Sequence, residues 1–270
     1  FTLLQHKRRV DCDAHVHGAM IDAVVDRRPS MFLMLGDMVA DGARPEDWRQ
    51  FDRLMAPINR AGIPIYALLG NHDYGMIDVK GIRECVERFP HAARLPGVVR
   101  LADSVVLVTV DSNLEALPSH RRRQQSDRYR SLLASLDRDP GITGVIVASH
   151  HPPMTNASLA IDPEIAATFV PPFLAAEKTL LFLSGHVHSY ERFEWEGKTF
   201  VVTGGGGGPR RAVETGDGRN HTTDAYRHGS LRYHHYVDLS IRSEGIRAEV
   251  WMLVDGVFRL GDGFVVGSEN

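Results

Sequence analysis

Short apolar runs alternate along the chain with segments whose apolar side chains recur every three or four residues. A continuous apolar run predicts a strand that is covered on both faces, because neither face of such a strand meets water. Five runs of this kind occupy residues 31–35, 63–69, 105–110, 145–148 and 180–183. Residues 45–59 and 129–136 have helical spacing instead. Strands that alternate with helices predict an α/β protein.

The pattern changes after residue 200. Five consecutive glycines at 204–208 lead into a polar stretch at 209–232, which predicts a long loop. Alternating positions at 235–241, 246–254 and 256–260 then predict short strands, and Asp255-Gly256 is a typical hairpin turn. Neither a linker nor an internal repeat interrupts the pattern, so the sequence predicts one domain over residues 1–270.

The composition argues against several classes of function. Lysine and arginine number 31 against 34 aspartates and glutamates, a balance that argues against a nucleic-acid-binding surface. No apolar run approaches the roughly 18–20 residues of a membrane span, so no membrane partner is expected. The two cysteines cannot form a disulfide framework. The fourteen histidines are the remaining clue, because histidine serves metal ligation and proton transfer near neutral pH.

Residues of metal-binding type follow four of the predicted strands. They are Gly36-Asp37, Gly70-Asn71-His72-Asp73, His150 and Gly185-His186-Val187-His188. In an open α/β sheet, ligands bind beyond the carboxyl ends of the strands. We therefore expect these side chains to meet at one site.

These residue types suit a two-metal centre. Such a centre needs a bridging carboxylate, oxygen and imidazole ligands on each ion, and open positions for water and substrate. Asp37 is the natural bridge and Asn71 offers an amide oxygen. The imidazoles come from His150, His186 and His188. His72 adjoins a ligand and is placed to donate a proton to a leaving oxygen.

In their order along the chain, the four motifs resemble those of the calcineurin-like metallophosphoesterase superfamily. The segments HHPP at 150–153, GHVHSYER at 185–192 and VTGGGGGP at 202–209 resemble the purple-acid-phosphatase-like branch in particular. The resemblance covers roughly residues 10–210. It implies a single catalytic domain that folds as an α/β sandwich, with two packed mixed sheets flanked by helices (α/β/β/α).

The resemblance also implies which residue holds which ion. Asp37 would bridge the two metals, Asn71, His150 and His186 would hold one ion, and His188 would hold the other. The implied cofactors are two divalent ions drawn from Mn, Fe, Zn, Co and Ni, because nitrogen and oxygen ligands discriminate poorly among these metals.

Two positions need comment against the family pattern. Its H-x-P motif selects His150 rather than His151. Purple acid phosphatases carry a metal-bound tyrosine three residues after the bridging aspartate, where this chain has Ala40. The colour of a tyrosinate–iron(III) pair is therefore not expected.

The first motif of the family, D-x-H, is satisfied by Asp13-Ala14-His15. Asp13 and His15 are therefore predicted as metal ligands. The family places this aspartate after an apolar strand, but residues 6–10 make a poor core strand. Asp11 is for that reason an alternative ligand.

The implied reaction is hydrolysis of a small phosphate ester, either a monoester or a diester. A hydroxide that bridges the metals would attack phosphorus, and His72 would protonate the leaving oxygen. Asp73 is predicted as the second catalytic residue, orienting His72 or the local backbone.

Two other functions remain as alternatives. The string Asp-x-His-x-His at 13–17 is also typical of metal-dependent amidohydrolases on a TIM barrel, although that interpretation leaves the other motifs unexplained. A non-catalytic metal-binding module is the second alternative. The glycines at 204–208 lack the context of a nucleotide-binding loop and instead predict close backbone packing near the metals.

Overall fold

The computed structural model describes residues 14–75, 81–159 and 161–267. The α-helices are α1 (Ala14–Arg27), α2 (Pro45–Arg60), α3 (Asn71–Tyr74), α4 (Gly81–Arg88), α5 (Ser119–Arg138) and α6 (Pro163–Ala175). The strands are β1 (Phe32–Met34), β2 (Ile65–Ala67), β3 (Gly97–Arg100), β4 (Val105–Thr109), β5 (Gly144–Ser149), β6 (Thr179–Ser184), β7 (Tyr190–Trp195), β8 (Lys198–Thr203), β9 (His235–Arg242), β10 (Gly245–Val254) and β11 (Val257–Val266).

Six strands form one mixed sheet in the order β3-β4-β5-β6-β8-β7. Its central strands β4, β5, β6 and β8 are parallel, and β3 and β7 pair antiparallel at the two edges. Parallel neighbours need a crossover connection, which α5 supplies between β4 and β5 and α6 supplies between β5 and β6. The carboxyl ends of these central strands therefore lie side by side.

Both faces of this sheet are buried, as the continuous apolar runs predict. In β4, Val106 and Val108 pack into the core that contains α5 and α6, whereas Leu107 packs into the core between the sheets. In β5, Val147 packs into the core that contains α5 and α6, and Ile146 packs into the core between the sheets. Successive side chains of a strand point to opposite faces, so an unbroken apolar run is needed where each face has its own core.

A second layer of strands packs on the inner face of the six-stranded sheet. β1 and β2 form a parallel pair, and β9, β10 and β11 form an antiparallel sheet in the order β11-β10-β9. A cavity of about 920 Å³ lies between β1 and β9. The outer face of the parallel pair is covered by α1 and α2 through Ile21, Trp48 and Phe51. The sequence of layers is the predicted α/β/β/α arrangement.

Several elements differ in length from the sequence prediction. β1 and β2 have three residues each, because the runs at 31–35 and 63–69 extend beyond them as irregular backbone, which is buried at Leu35, Leu68 and Leu69. α5 begins well before residue 129, since its first half is polar and has no apolar face that could reveal it. The predicted turn at Asp255 and Gly256 is confirmed, with φ angles of 51° and 77° that suit a type I′ hairpin.

The described strands form open sheets rather than a closed barrel of eight parallel strands. The fold therefore gives no support to the amidohydrolase alternative. Within the described ranges, none of the helices has both the length and the apolar character needed to cross a membrane.

Replacement of Phe182 by Ala tests the core beneath α6. Phe182 is fully buried in β6, where its ring stacks on Phe200 and meets Phe173 edge-on with centroids 5.8 and 5.3 Å away. We expect Phe182→Ala to lower the free energy of unfolding in urea by about 3–5 kcal/mol, because it removes buried area and leaves a cavity. The control Val257→Ala, at a side chain 57% exposed, should change that free energy by less than about 0.5 kcal/mol. Equal effects of the two substitutions would contradict this account of the core.

Candidate metal centre

Four of the predicted ligands meet where strands end. Asp37 follows β1, Asn71 begins α3 after β2, His150 follows β5, and His186 follows β6. Because β5 and β6 are paired in parallel, their carboxyl ends bring His150 and His186 to the same edge of the sheet. The convergence predicted from the motif order is therefore present for these four residues.

The Nε2 atom of His150 lies at the middle of this group. It is 3.1 Å from Asn71 Oδ1, 3.1 Å from His186 Nδ1 and 3.3 Å from Asp37 Oδ2. Asp37 and His150 are each only 1% exposed. We call these four side-chain atoms the donor cluster.

The donor cluster has the chemistry and the spacing of a cation site. His150 Nδ1 donates to the carbonyl oxygen of Leu35 at 2.7 Å, so its Nε2 presents a lone pair. The other three members are lone-pair atoms as well, and the four repel one another unless a positive charge lies among them, either a cation or a proton on His150, whose pKa the neighbouring Asp37 carboxylate raises. Metal–ligand bonds of about 2.1 Å separate neighbouring ligands by roughly 3.0–3.4 Å. The residues present therefore fit a divalent cation.

Burial keeps the imidazoles of His186 and His188 in the neutral form that binds metals, whereas the Asp37 carboxylate raises the pKa of His150. Burial lowers the pKa of His186 to about 3 and that of His188 to about 4, so both rings are neutral at pH 7. For Asp37, burial acts to raise the pKa, but the charge of His150 and the hydrogen bonds from His150 and His72 outweigh it and hold the pKa below its usual range. The carboxylate is thus ionised, as a metal ligand must be.

A backbone carbonyl oxygen after the glycine run orients the ring of His188. Its Nδ1 donates to the carbonyl oxygen of Pro209 at 2.8 Å, which leaves the Nε2 lone pair available. It lies outside the donor cluster. Asp11 and Asp13 lie outside the described residues, and His15 is exposed on α1 rather than placed in the donor cluster.

Glycines allow the loops of the site to touch. A Cβ on Gly36 would lie 2.6 Å from the backbone nitrogen of Gly70, and a Cβ on Gly70 would lie 2.2 Å from that of Asp37. Any larger residue at either position would push Asp37 away from Asn71. Asp37 also adopts a left-handed φ of 53°, a conformation that is uncommon outside glycine and is concentrated at functional sites.

Asp73 ties the same two loops together. Its carboxylate accepts backbone N–H groups from Asp37 at 2.8 Å, Met38 at 2.9 Å and Gly70 at 2.9 Å. Burial and the nearby Asp37 carboxylate raise the pKa of Asp73 to about 7. Of the two actions predicted for Asp73, these contacts correspond to the ordering of the local backbone.

His72 adjoins the donor cluster without joining it. Its backbone N–H donates to Asp37 Oδ1 at 2.9 Å, and its ring Nδ1 donates to the carbonyl oxygen of Ala40 at 2.7 Å. The half-buried ring therefore leaves Nε2 as the nitrogen for proton transfer.

The glycine run at 204–208 packs directly on histidine rings, as close backbone packing near the metals predicts. An added Cβ would lie 2.0 Å from His235 at Gly205, 2.3 Å from His17 at Gly207, and 2.7 Å from His188 at Gly208. No motif in the sequence distinguished the burial of His17 and His235, which only the fold reveals.

One further histidine belongs to this region. Ring nitrogens of His150, His151 and His186 all lie within 4.8 Å of one another. The motif pattern had selected His150 and passed over His151. The only signal for His151 in the sequence was the paired histidines themselves.

The chain is similar to known proteins in its sequence profile and in its fold. The sequence profile of the calcineurin-like phosphoesterases matches residues 14–190, a range that contains all the members of the donor cluster. A search of curated protein sequences found no match.

Several solved structures share the fold. GAP50, described as the anchor in the inner membrane complex of Plasmodium, is 12% identical with a TM-score of 0.75, over 100% of this chain and 88% of that one. A dimetal phosphatase from Danio rerio is 14% identical with a TM-score of 0.59, over 93% of this chain and 88% of that one. PhoD is 11% identical with a TM-score of 0.59, over 98% of this chain and 68% of that one. At such low identity, the likeness concerns the fold alone.

The substitution Asp73→Asn tests the tie between the two loops. In this variant the amide oxygen can accept the N–H groups of Asp37 and Gly70, as one carboxylate oxygen does now. The amide NH₂ group then faces the N–H of Met38, and two hydrogen-bond donors oppose each other. We expect the free energy of unfolding to fall by about 1–3 kcal/mol, because a buried donor loses its acceptor. Chemical denaturation measures the effect, and Asp127→Asn on the surface of α5 is the control. An unchanged midpoint for Asp73→Asn would refute the role assigned to this carboxylate.

Proposed function

This chain belongs to the calcineurin-like phosphoesterase family, and we propose that it hydrolyses small phosphate esters with two divalent metal ions. The observation that carries the proposal is the donor cluster. Oxygen and nitrogen atoms of Asn71, His186 and Asp37 lie 3.1–3.3 Å from the buried Nε2 of His150, an arrangement that a bound cation would stabilise. A metal-dependent hydrolase explains why the fold maintains this arrangement.

The family resemblance implies the proposed ligand sets, and the positions of the side chains support them. Asn71, His150 and His186 would hold one ion together with Asp37, which would also serve the second. His188 would hold the second ion, with its ring oriented by Pro209. Asp13 and His15 stay our predicted ligands for the remaining positions of that ion, with Asp11 as the alternative to Asp13.

The chemistry divides between the cations and the protein. Bound metal ions would neutralise phosphate oxygens and make a water molecule more acidic. His72 protonates the leaving oxygen through Nε2, since its Nδ1 is held by Ala40. Asp73 acts indirectly, because its contacts hold the backbone on which Asp37 and Asn71 are mounted.

The polar loop at 209–232 begins beside the candidate ligand His188, whose ring is held by the carbonyl oxygen of Pro209. Asn156 accepts the backbone N–H of His221 at 2.7 Å and donates to its carbonyl oxygen at 2.9 Å. Within the loop, Arg219 and Asp224 pair at 2.8 Å. The loop is therefore anchored both at its start and in its middle.

Metal removal is the direct test of the cofactor. We expect chelator-treated protein to lose hydrolysis of an aryl phosphate and to regain it with Mn²⁺, Zn²⁺ or Co²⁺, because the ligands accept several divalent ions. Elemental analysis of the reloaded protein should give two metal ions per chain. One ion per chain with full activity would contradict the two-metal proposal, and activity that survives chelation would contradict metal dependence.

Variants of His72 and Asp37 separate proton transfer from metal binding. We expect His72→Ala to reduce kcat by about 10²–10⁴-fold with metal content near that of the wild type, because only a proton donor is removed. Asp37→Ala should lose metal and activity together, since it removes a buried ligand of both ions. Assays of matched monoester and diester substrates, with metal analysis of each variant, measure the two effects.

The exposed His120 on α5 provides the control, and His120→Ala should behave as the wild type. If Asp37→Ala keeps its metals and full activity, the ligand assignment is wrong. If the wild type binds two metals but hydrolyses neither ester, the alternative of a non-catalytic metal-binding module replaces the proposal.

A further inference from the structure

The start of the polar loop is held against His188 by three contacts. Gly208 lies so close that an added Cβ would be 2.7 Å from the ring of His188. The carbonyl oxygen of Pro209 accepts the ring Nδ1–H at 2.8 Å. The backbone N–H of Arg211 donates to the carbonyl oxygen of His188 at 3.1 Å. These contacts fix the backbone of Arg211 directly beside a candidate metal ligand.

The backbone that follows Arg211 is fixed as well. The N–H of Val213 donates to the carbonyl oxygen of Ser230 at 2.9 Å, and that of Glu214 donates to the carbonyl oxygen of Asn156 at 2.8 Å. Val213 is also buried, with 3% of its surface exposed. Arg211 therefore extends from an anchored segment, although its own side chain is exposed.

The charge of Arg211 acts on the ring of His188. Burial is the main cause of the low pKa of His188, and the positive charge of Arg211 lowers that pKa further. The negative charge of Asp37 acts on the same ring in the opposite direction. Charges have such effects only at short range, so the ring of His188 is near both the bridging carboxylate and the guanidinium of Arg211.

Among the residues that the structure describes, Arg211 has no carboxylate partner. Two other arginines of the polar loop are neutralised, because Arg219 and Arg227 pair with Asp224 at 2.8 and 3.3 Å. The neighbouring Arg210 instead has its Nη1 3.5 Å from the carbonyl oxygen of Arg232. The donors of Arg211 are therefore open to a ligand, and the planar guanidinium matches two oxygens of a phosphate.

The sign of this charge indicates what it serves. A positive charge near His188 opposes the binding of a cation there, just as it opposes protonation of the ring. The same charge attracts an anion bound at the metal centre. Arg211 is thus unfavourable for the metal ions alone and favourable once an anionic ligand has joined them.

We propose that the guanidinium of Arg211 binds phosphoryl oxygens of a phosphate dianion, the form shared by monoester substrates and inorganic phosphate. The inference rests on the proposed phosphoesterase function and names monoesters as its substrate class. A monoester dianion has one negative charge more than a diester, so it gains more from a cation that has no carboxylate partner.

Binding of inorganic phosphate to the manganese-loaded protein, measured by calorimetry, tests the proposal without turnover. Arg211→Gln should bind phosphate about tenfold more weakly, because it loses a charge-assisted contact. Its affinity for Mn²⁺ in the absence of phosphate should equal or exceed that of the wild type, since a repulsive charge is removed. A merely structural role would instead weaken the binding of metal and phosphate together.

Matched variants complete the design. Arg211→Lys keeps the charge but not the planar fork, so its phosphate affinity should lie between those of the wild type and Arg211→Met. The adjacent Arg210→Gln is the control and should bind phosphate within about twofold of the wild type. With matched aryl esters, Arg211→Gln should lower kcat/KM by at least about threefold more for the monoester than for the diester.

Each contrary outcome contradicts the proposal. It is overturned by wild-type phosphate affinity in Arg211→Gln, by weaker Mn²⁺ binding in that variant, by equal effects at positions 210 and 211, or by a wild type that does not bind phosphate. Equal losses for the two esters would overturn the assignment to monoesters. If Arg211→Gln does not fold, the comparison of Lys with Met decides. A wild type that binds phosphate through Arg211 but hydrolyses no ester would refute the proposed function and leave the anion site standing.

Discussion

The contact between the loops that follow β1 and β2 is the constraint on which the candidate metal centre depends. These loops approach so closely that neither Gly36 nor Gly70 has room for a Cβ. The carboxylate of Asp73 accepts N–H groups from both loops and holds them at that distance. Since Asp37 stands on one loop and Asn71 on the other, the spacing of two ligands is set by backbone contact. The distance between two side chains varies less when backbone contact sets it than when flexible side chains set it.

The donor cluster costs the fold stability, and several features of the structure offset that cost. Asp37 and His186 adopt left-handed backbone conformations with φ of 53° and 60°, and residues in such regions require strong support from their surroundings. Support comes from the parallel pairing of β5 and β6, from the large cores on both faces of the six-stranded sheet, and from Asp73. Two of the left-handed non-glycine residues, Asp37 and His186, therefore lie at the edge where the strands end and the donor cluster is assembled.

The sequence predicted those parts of the molecule that depend on burial and on local motif order. Apolar runs located the central strands because both of their faces meet a core, and the strand ends located Asp37, Asn71, His150 and His186. The polar first half of α5 was not predicted, since a helix that lies mostly in solvent has no apolar stripe. The burial of His17 against Gly207 was equally hidden, because it depends on a contact between segments about 190 residues apart. Long-range packing of this kind leaves no periodic signal in the chain.

The roles of the histidines depend on which ring nitrogen the surrounding protein holds, and a sequence motif carries no such information. His150 and His188 each donate Nδ1–H to a backbone carbonyl, so both keep a lone pair on Nε2. His72 is held in the same way by Ala40, but it lies beside the donor cluster, the position that we propose for the proton donor. His151 is held differently, because its Nδ1 lies 3.0 Å from the hydroxyl oxygen of Ser112. Which nitrogen of each ring stays available is therefore set by these neighbouring oxygens, which the order of the motifs does not specify.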